Sequence, residues 1–351
     1  MGQRRRARSR SGFRRSRGIR GDRRGVVAVV GTLLALLVFF ALFGIFLTQY
    51  VPLWMDENES QFSNQMQASL ATFKSGVDDQ YILGGIPSYT VPFTMNSASV
   101  PLLTQPTIAT FSYLNGCPSG FNATTAMPVK PASCDFARLV YSTAAGAAGS
   151  QTHNYNETAP TNYLQAAIPN RYYVPVTYYF ESDAIAGEQG SGRAWIVAPP
   201  PVNVSLTSGN LTVRSSLVVF LGNGSSFSSQ GTKDLTDHEL SQSNVSSTGR
   251  FLSTSGARRT FNVTMILGVH DVCAWYNFLY NETEHAFGSN SSTYWTLAVT
   301  QGSTTLTLPL ALSVCLQSLS STYDLTLKVF NVNYAQAFLA QDQITFNAGG
   351  L

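Results

Sequence analysis

Two stretches of this chain gather side chains that could do chemistry. His270-Asp271-Val272-Cys273 sets an imidazole, a carboxylate and a thiol within four positions, the donor types of a zinc site. No C-x-x-C pair accompanies it, and Cys273 has a competing use as half of a disulfide, so no metal is assigned there. Asp234, Asp237, His238 and Glu239, within KDLTDHEL, form the densest polar cluster and carry enough oxygen ligands for Ca²⁺. They lack the spacing of an EF-hand loop, and the stretch reads as a solvated acidic turn between serine-rich loops. The chain has no G-x-S-x-G elbow, no P-loop, no H-E-x-x-H and no dinucleotide fingerprint after a strand. It is read as having no catalytic residues, no metal and no cofactor, and not as an enzyme.

The remaining chemistry is covalent modification. Cys117, Cys134, Cys273 and Cys315 are an even set, as expected of an oxidising compartment. Four cysteines allow three pairings, of which proximity in sequence favours Cys117–Cys134 and Cys273–Cys315. N-x-S/T sequons stand at Asn58, Asn122, Asn156, Asn203, Asn210, Asn223, Asn244, Asn262, Asn281 and Asn290, ten of the twenty asparagines. Random placement of the hydroxyl residues gives about half as many, so these are glycosylation candidates. Glycan would solubilise a chain in which charged residues are only 12%.

The elements that carry these groups begin with a charge split. Residues 1–24 hold eleven of the 22 basic residues and one of the 19 acidic ones, so an arm of +10 precedes a remainder of −7, and the net +3 describes neither. Residues 26–48 then run for 23 positions without a charge, about 34 Å of helix, enough to span a hydrocarbon layer. The basic side of a span stays in the cytoplasm, which puts the arm inside and everything after Tyr50 outside. The arm contains one aromatic residue, Phe13, and abuts the span, so it reads as a topology signal and not as a nucleic-acid site. No later stretch is long and apolar enough to span, so a single-pass protein is expected, and the low charge content argues against an ordinary cytosolic enzyme.

The junction between arm and span reads Asp22-Arg23-Arg24-Gly25-Val26, followed by Val29 to Leu34 as V-V-G-T-L-L. It resembles the class III signal of archaeal type IV pilins and archaellins. The resemblance implies that a prepilin peptidase cuts after Gly25, leaves Val26 as the new N-terminus, and frees the helix to pack with other pilin-like subunits. Two departures stand out: no acidic residue occupies the fifth position after the cut, where Val30 sits, as is common in archaeal rather than bacterial pilins, and no Ser-Pro follows the cut. Stretches around Val100-Pro101-Leu102 and Tyr178-Tyr179-Phe180-Glu181 are loosely similar to segments that follow the helix in archaeal pilin-like proteins. On one side of the span, Ala28, Gly31, Thr32 and Ala35 permit close helix contacts.

Beyond Leu53 the period changes. Phe62, Met66, Leu70, Phe73 and Val77 recur at helical spacing with polar residues between, the mark of one buried stripe, and Gly84-Gly85 and Pro87 end it. Pro52 should kink the helix between its two halves. After Pro87 strands are expected at 107–114, 135–142, 171–181, 193–198, 202–207, 211–221, 260–268, 272–280 and 323–332. Tyr294–Thr300 pairs through a turn at Gln301-Gly302-Ser303 with an alternating strand from Leu306 to Leu316, and 215–256 reads as long loops. The expected architecture is α+β, a long N-terminal helix followed by an all-β sandwich-type extracellular region. Its parts are a leader 1–25, a transmembrane helix 26–50, an amphipathic helix 51–84, and β-rich portions 88–198 and 202–347 divided at Pro199-Pro200-Pro201. The function expected is a minor pilin or pseudopilin with a structural or adhesive role toward a surface or glycan ligand. The alternative is a non-assembling, membrane-anchored binding or envelope protein whose anchor stays uncleaved.

Overall fold

The computed structural model describes residues 23–83, 88–100, 104–114, 136–143, 155–160, 162–190, 193–207, 210–221, 225–246, 261–269, 272–287, 294–301, 304–306, 323–332 and 334–347. They belong to two compact units, Met1–Leu53 and Trp54–Leu351.

In the first unit, α1 (Arg23–Ile45) is built from Val, Leu, Ala and Phe, and its apolar side chains are exposed all round, Val27 at 71% and Leu33 at 62%. Threonine hydroxyls of α1 and of the turn after it are satisfied by the helix backbone: Thr32 Oγ1 donates to the Val29 carbonyl at 2.9 Å and Thr48 Oγ1 to the Gly44 carbonyl at 2.8 Å. That matters for a helix in lipid, where no water is present to serve them. Phe39, Phe43, Phe46 and Tyr50 stack in succession along one side, with ring centroids 5.9, 6.5 and 6.2 Å apart. Residues Phe46–Tyr50 form a π-helical turn in which the Val51 N–H donates to Phe46 O. Pro52, which has no N–H to give, thus follows a widened turn. The helical run Val27–Gln80 contains an 18-residue window of mean hydropathy 2.7, none of it buried, so it is long and apolar enough to cross a membrane.

The second unit begins within α2 (Val51–Leu83). Its stripe behaves as the spacing demands: Phe62, Met66, Leu70, Phe73 and Val77 are all at most 3% exposed. Each such burial contributes about 1.5–3 kcal/mol, so the stripe outweighs the weak helix propensity of the Ser, Asn and Thr between.

Seventeen strands follow among the described residues: β1 (Ser88–Thr94), β2 (Thr110–Leu114), β3 (Phe136–Thr143), β4 (Tyr155–Pro160), β5 (Tyr163–Ile168), β6 (Val176–Glu181), β7 (Ala184–Gln189), β8 (Arg193–Ala198), β9 (Val202–Thr207), β10 (Asn210–Leu221), β11 (Ser225–Ser228), β12 (Thr232–Ser246), β13 (Phe261–Val269), β14 (Trp295–Gln301), β15 (Thr304–Leu306), β16 (Tyr323–Val332) and β17 (Tyr334–Asn347). They make three sheets, ordered β1-β12-β17-β10-β9, β11-β2-β5-β6-β7-β8 and β15-β14-β16-β13-β3-β4. Neighbours are antiparallel except β10 and β17, which run parallel with Thr212 opposite Tyr334. Strands from both sides of Pro199-Pro200-Pro201 share all three sheets.

One core joins the α2 stripe to the first two sheets through Val91, Phe93, Phe111, Phe180, Phe220, Leu235 and Ile344. A second core gathers α3 (Val272–Phe287), the third sheet, and Val202, Val204, Leu211, Val213 and Ala335 of the first sheet. The first sheet therefore serves both cores along the length of β10 and β17.

Three expectations are corrected. Residues 272–280 are helix, not strand: Val272, Trp275, Tyr276, Leu279, Thr283 and Phe287 are buried at helical spacing, which the run of aromatic and β-branched residues disguised. Residues 215–256 are not long loops where described, because β10, β11 and β12 run through them. β12 is held on one edge by β1 and on the other by β17, so pairing supplies what its polar composition does not. KDLTDHEL is consequently strand and not a solvated turn, and Asp237 within it is fully buried. The hairpin expected around Gln301 is present, with Val299 opposite Leu306, while 307–322 lie outside the described residues.

Candidate functional site

The polar groups that α2 carries on its buried face form two fastenings to the sheets. The first is Glu59, three positions before Phe62 on the stripe and fully buried. Its carboxylate accepts the backbone N–H groups of Arg171, Tyr172 and Tyr173 at 3.0, 2.7 and 2.8 Å, and a hydrogen bond from the Thr107 hydroxyl. Successive N–H groups converging in this way make an anion-binding nest. Burial pushes the Glu59 pKa up, but the Thr107 hydroxyl and the three N–H donors outweigh it, so the group titrates below its ordinary value. Next along the face, Ser63 Oγ accepts from Asn170 Nδ2 at 3.0 Å, tying the same bend to α2 again. The bend presents Tyr172 and Val174 to solvent at 43% and 42%.

The second fastening is Lys74, whose Nζ lies 2.7 and 2.9 Å from the Asp78 carboxylate oxygens and 3.3 Å from Asp183 Oδ1. Asp183 is the second residue of the two-residue β6–β7 turn, where Ser182 and Asp183 have φ of 47° and 63°. This left-handed geometry suits the twist of a two-residue hairpin and normally takes Asn or Gly. Glu181, Ser182 and Asp183 are all fully buried, so this turn lies inside the protein. From its other side, Trp275 Nε1 of α3 donates to Glu181 Oε1 at 2.8 Å. The turn thus joins α2 to α3, with Ala184 in the second core and Phe180 and Ile185 in the first.

A further pair of buried acids, Asp237 of β12 and Asp342 of β17, stands on the first sheet. Burial pushes Asp237 up to about 8, and the nearby Asp342 and Glu239 carboxylates add to the rise. Burial likewise holds Tyr113 protonated far above the usual phenol range, with the charges of Asp237 and Asp342 adding to it against a hydrogen bond from Asn162. The Tyr113 hydroxyl donates to the Leu221 carbonyl at 3.0 Å. The Tyr113 bond ties β2 of the second sheet to β10 of the first. Among the described residues no cluster of three or more His, Cys, Asp and Glu is placed to hold a metal ion.

Of the residues singled out in sequence, Arg23, Arg24, Gly25 and Val26 open α1. Ala28, Gly31, Thr32 and Ala35 are exposed, and a Cβ at Gly31 would meet nothing within 4 Å. Cys273 is buried on α3 and is not a free thiol. Cys117, Cys134 and Cys315, like His270 and Asp271, lie outside the described residues. Asn203 and Asn210 are exposed on β9 and β10, and Asn281 is exposed on α3, whereas Asn58 and Asn262 are half-buried. Asn156 and Asn244 fall on β4 and β12, and Asn122, Asn223 and Asn290 lie outside the described residues.

Sequence reasoning passed over Glu59, Lys74, Asp78, Asp183 and Asp342. A signal for two of them exists: Glu59 and Lys74 interrupt the apolar stripe at positions where only a partnered charge is tolerated. A cavity of about 580 Å³, lined by Phe227, Ile344 and Phe346 together with Ser225, Ser226, Ser229, Thr345 and Lys233, opens beside β11 and β17. Comparisons with family models, with curated proteins and with solved structures find no match to this chain.

Proposed function

We propose that the chain is a pilin-like surface protein, anchored in the membrane by α1 and serving as a minor pilin or pseudopilin with a structural or adhesive role. The observation that carries this reading is the change of character along one helical run: α1 exposes apolar side chains on every side, and α2 buries a single stripe in a β-rich domain. A helix of the first kind needs lipid or neighbouring helices around it, and one of the second kind needs its own domain. The Arg23-Arg24-Gly25 junction supports processing by a prepilin peptidase, with the arm cytoplasmic and everything after Tyr50 outside the cell. In this reading the strand-rich region is a sandwich around α2, the cysteines pair as Cys117–Cys134 and Cys273–Cys315, and exposed Asn203, Asn210 and Asn281 carry glycan. The cavity between Phe227, Phe346 and the serines supports an adhesive role, since an apolar floor with hydroxyls suits a sugar ring.

N-terminal sequencing of the protein recovered from its own cells is the test. A chain beginning at Val26 supports the assembling pilin; one beginning at Met1 overturns it in favour of an uncleaved, non-assembling anchored protein.

A further inference from the structure

Lys74, Asp78 and Asp183 have an arrangement beyond what an ion pair requires. The Lys74 side chain is 6% exposed and Asp183 is sealed, while Asp78 keeps a third of its side chain in solvent. Nζ stands 3.3 Å from Asp183 Oδ1, and Asp183 Oδ2 has no hydrogen-bond partner. Two carboxylates therefore share one ammonium, and the buried one is bonded through a single oxygen. Water is kept away by the surrounding core: Phe73, the residue before Lys74, packs edge-on against Phe180, three residues before Asp183, at 5.9 Å. Phe180 meets Phe220 at 4.9 Å. Asp183 is also held in place by its turn, which fixes the backbone at a positive φ.

We propose that Lys74 and Asp183 are joined by an autocatalytic amide bond between Nζ and Cγ, with Asp78 as the proton carrier, fastening α2 covalently to the β6–β7 turn. Asp78 takes one proton from the Lys74 ammonium. The freed nitrogen lone pair attacks Cγ of the protonated Asp183, forming the C–N bond. The Asp183 hydroxyl leaves as water, taking the second nitrogen proton by way of Asp78, which ends protonated and returns its proton to solvent through its exposed side. No oxidant or reductant enters. Burial raises the Asp183 pKa well above its ordinary value, more than the attraction of Lys74 lowers it, and the nearby Asp78 carboxylate adds to the rise, which favours the neutral acid that amines attack. Holding nucleophile and carbon together on the buried side of Lys74, where Asp183 is sealed, supplies what such a condensation lacks in solution, effective concentration and protection from competing hydrolysis. The bond would let α2 and the sheets bear tension as one piece.

The test is tryptic digestion of the intact purified protein followed by tandem mass spectrometry after deglycosylation and reduction. The expected result is no cleavage after Lys74 and one branched peptide, containing Lys74 and Asp183, lighter by one water than its two arms. Recovery of the free peptide ending at Lys74 from protein with cooperative unfolding overturns the proposal. Asp78→Asn keeps the reacting pair and removes the proton carrier, so it is expected to abolish the branched peptide. A variant that still links overturns the role given to Asp78. Lys74→Arg, which keeps the charge without the nucleophile, is expected to yield only unbranched peptides, and a crosslink persisting at Asp183 in it overturns the assignment of Lys74.

Discussion

The backbone N–H of Tyr172 donates to Glu59 Oε2 at 2.7 Å, across 113 positions of chain. With the neighbouring N–H groups of Arg171 and Tyr173 and the Thr107 hydroxyl, this makes one carboxylate the meeting point of α2 and two loops. Glu59→Ala is expected to lower the unfolding free energy of the domain by about 3 kcal/mol, since hydrogen bonds to a charged group contribute about 1.5–3 kcal/mol and four donors lose their acceptor. Because the folded-state pKa of Glu59 is lowered, its contribution is full above the ordinary glutamate pKa and is lost as pH falls through the folded value. Denaturant titrations across the acid range should show that loss in the native chain and not in Glu59→Ala; parallel curves would count against it.

Asp237 has the opposite sign. Its folded pKa is about 8, above the ordinary aspartate value, so between the two the folded chain holds a proton that the unfolded chain has released. Stability therefore falls as pH rises through that window, by up to about 1.4 kcal/mol per pH unit. Asp237→Asn should flatten this decline and be more stable than the native chain at pH 9. Thermal melts at pH 5, 7 and 9 decide, and an unchanged slope in the variant would refute the assignment.

Gly76 sits on α2 where a Cβ would come within 2.0 Å of the Tyr89 ring of β1. Gly→Ala in a helix ordinarily gains up to about 1 kcal/mol. Here the clash reverses the sign, and Gly76→Ala should lose about 1–3 kcal/mol. In a Tyr89→Ala background the same substitution should become neutral or stabilising, which a double-mutant cycle by chemical denaturation would detect.

Trp275→Phe removes the donor to Glu181 and leaves a buried carboxylate short of a hydrogen bond. A loss of about 2 kcal/mol is expected. Glu181→Gln in the Trp275→Phe background should recover part of it, because an amide costs less to bury short of a partner than an ion does. Equal stability of single and double variants would argue that the indole matters only for its volume.

The α2 stripe was legible because Phe62, Met66, Leu70, Phe73 and Val77 share one period and one core. The apolar run of α1 was legible for a different reason, its unbroken length without a charge. α3 was misread since Val272-Cys273-Ala274-Trp275-Tyr276 has strand-like composition, and only the later spacing to Leu279, Thr283 and Phe287 betrays a helix. β12 was hidden more deeply. Asp237, His238 and Glu239 signal solvent in sequence, yet β1 and β17 flank that strand from positions far away in the chain. The fastening at Lys74 was half legible: its i,i+4 partner Asp78 is local, but Asp183 arrives from 109 positions later by a turn that no glycine marks.

The parallel pairing of β10 with β17 sets an order of events. β17 lies between β12 and β10 in the first sheet, and Ile344 on it packs in the same core as the α2 stripe. Until residues 334–347 have been synthesised, β12 and β10 have no common neighbour and that core stays open on one side. Contacts of such long sequence separation form slowly, and apolar surface left uncovered meanwhile invites aggregation. A chain whose first helical run is already apolar would therefore leave the ribosome long before its domain can close. Any machinery that handles it during synthesis must hold α2 apart from other chains until β17 slides into the middle of the sheet.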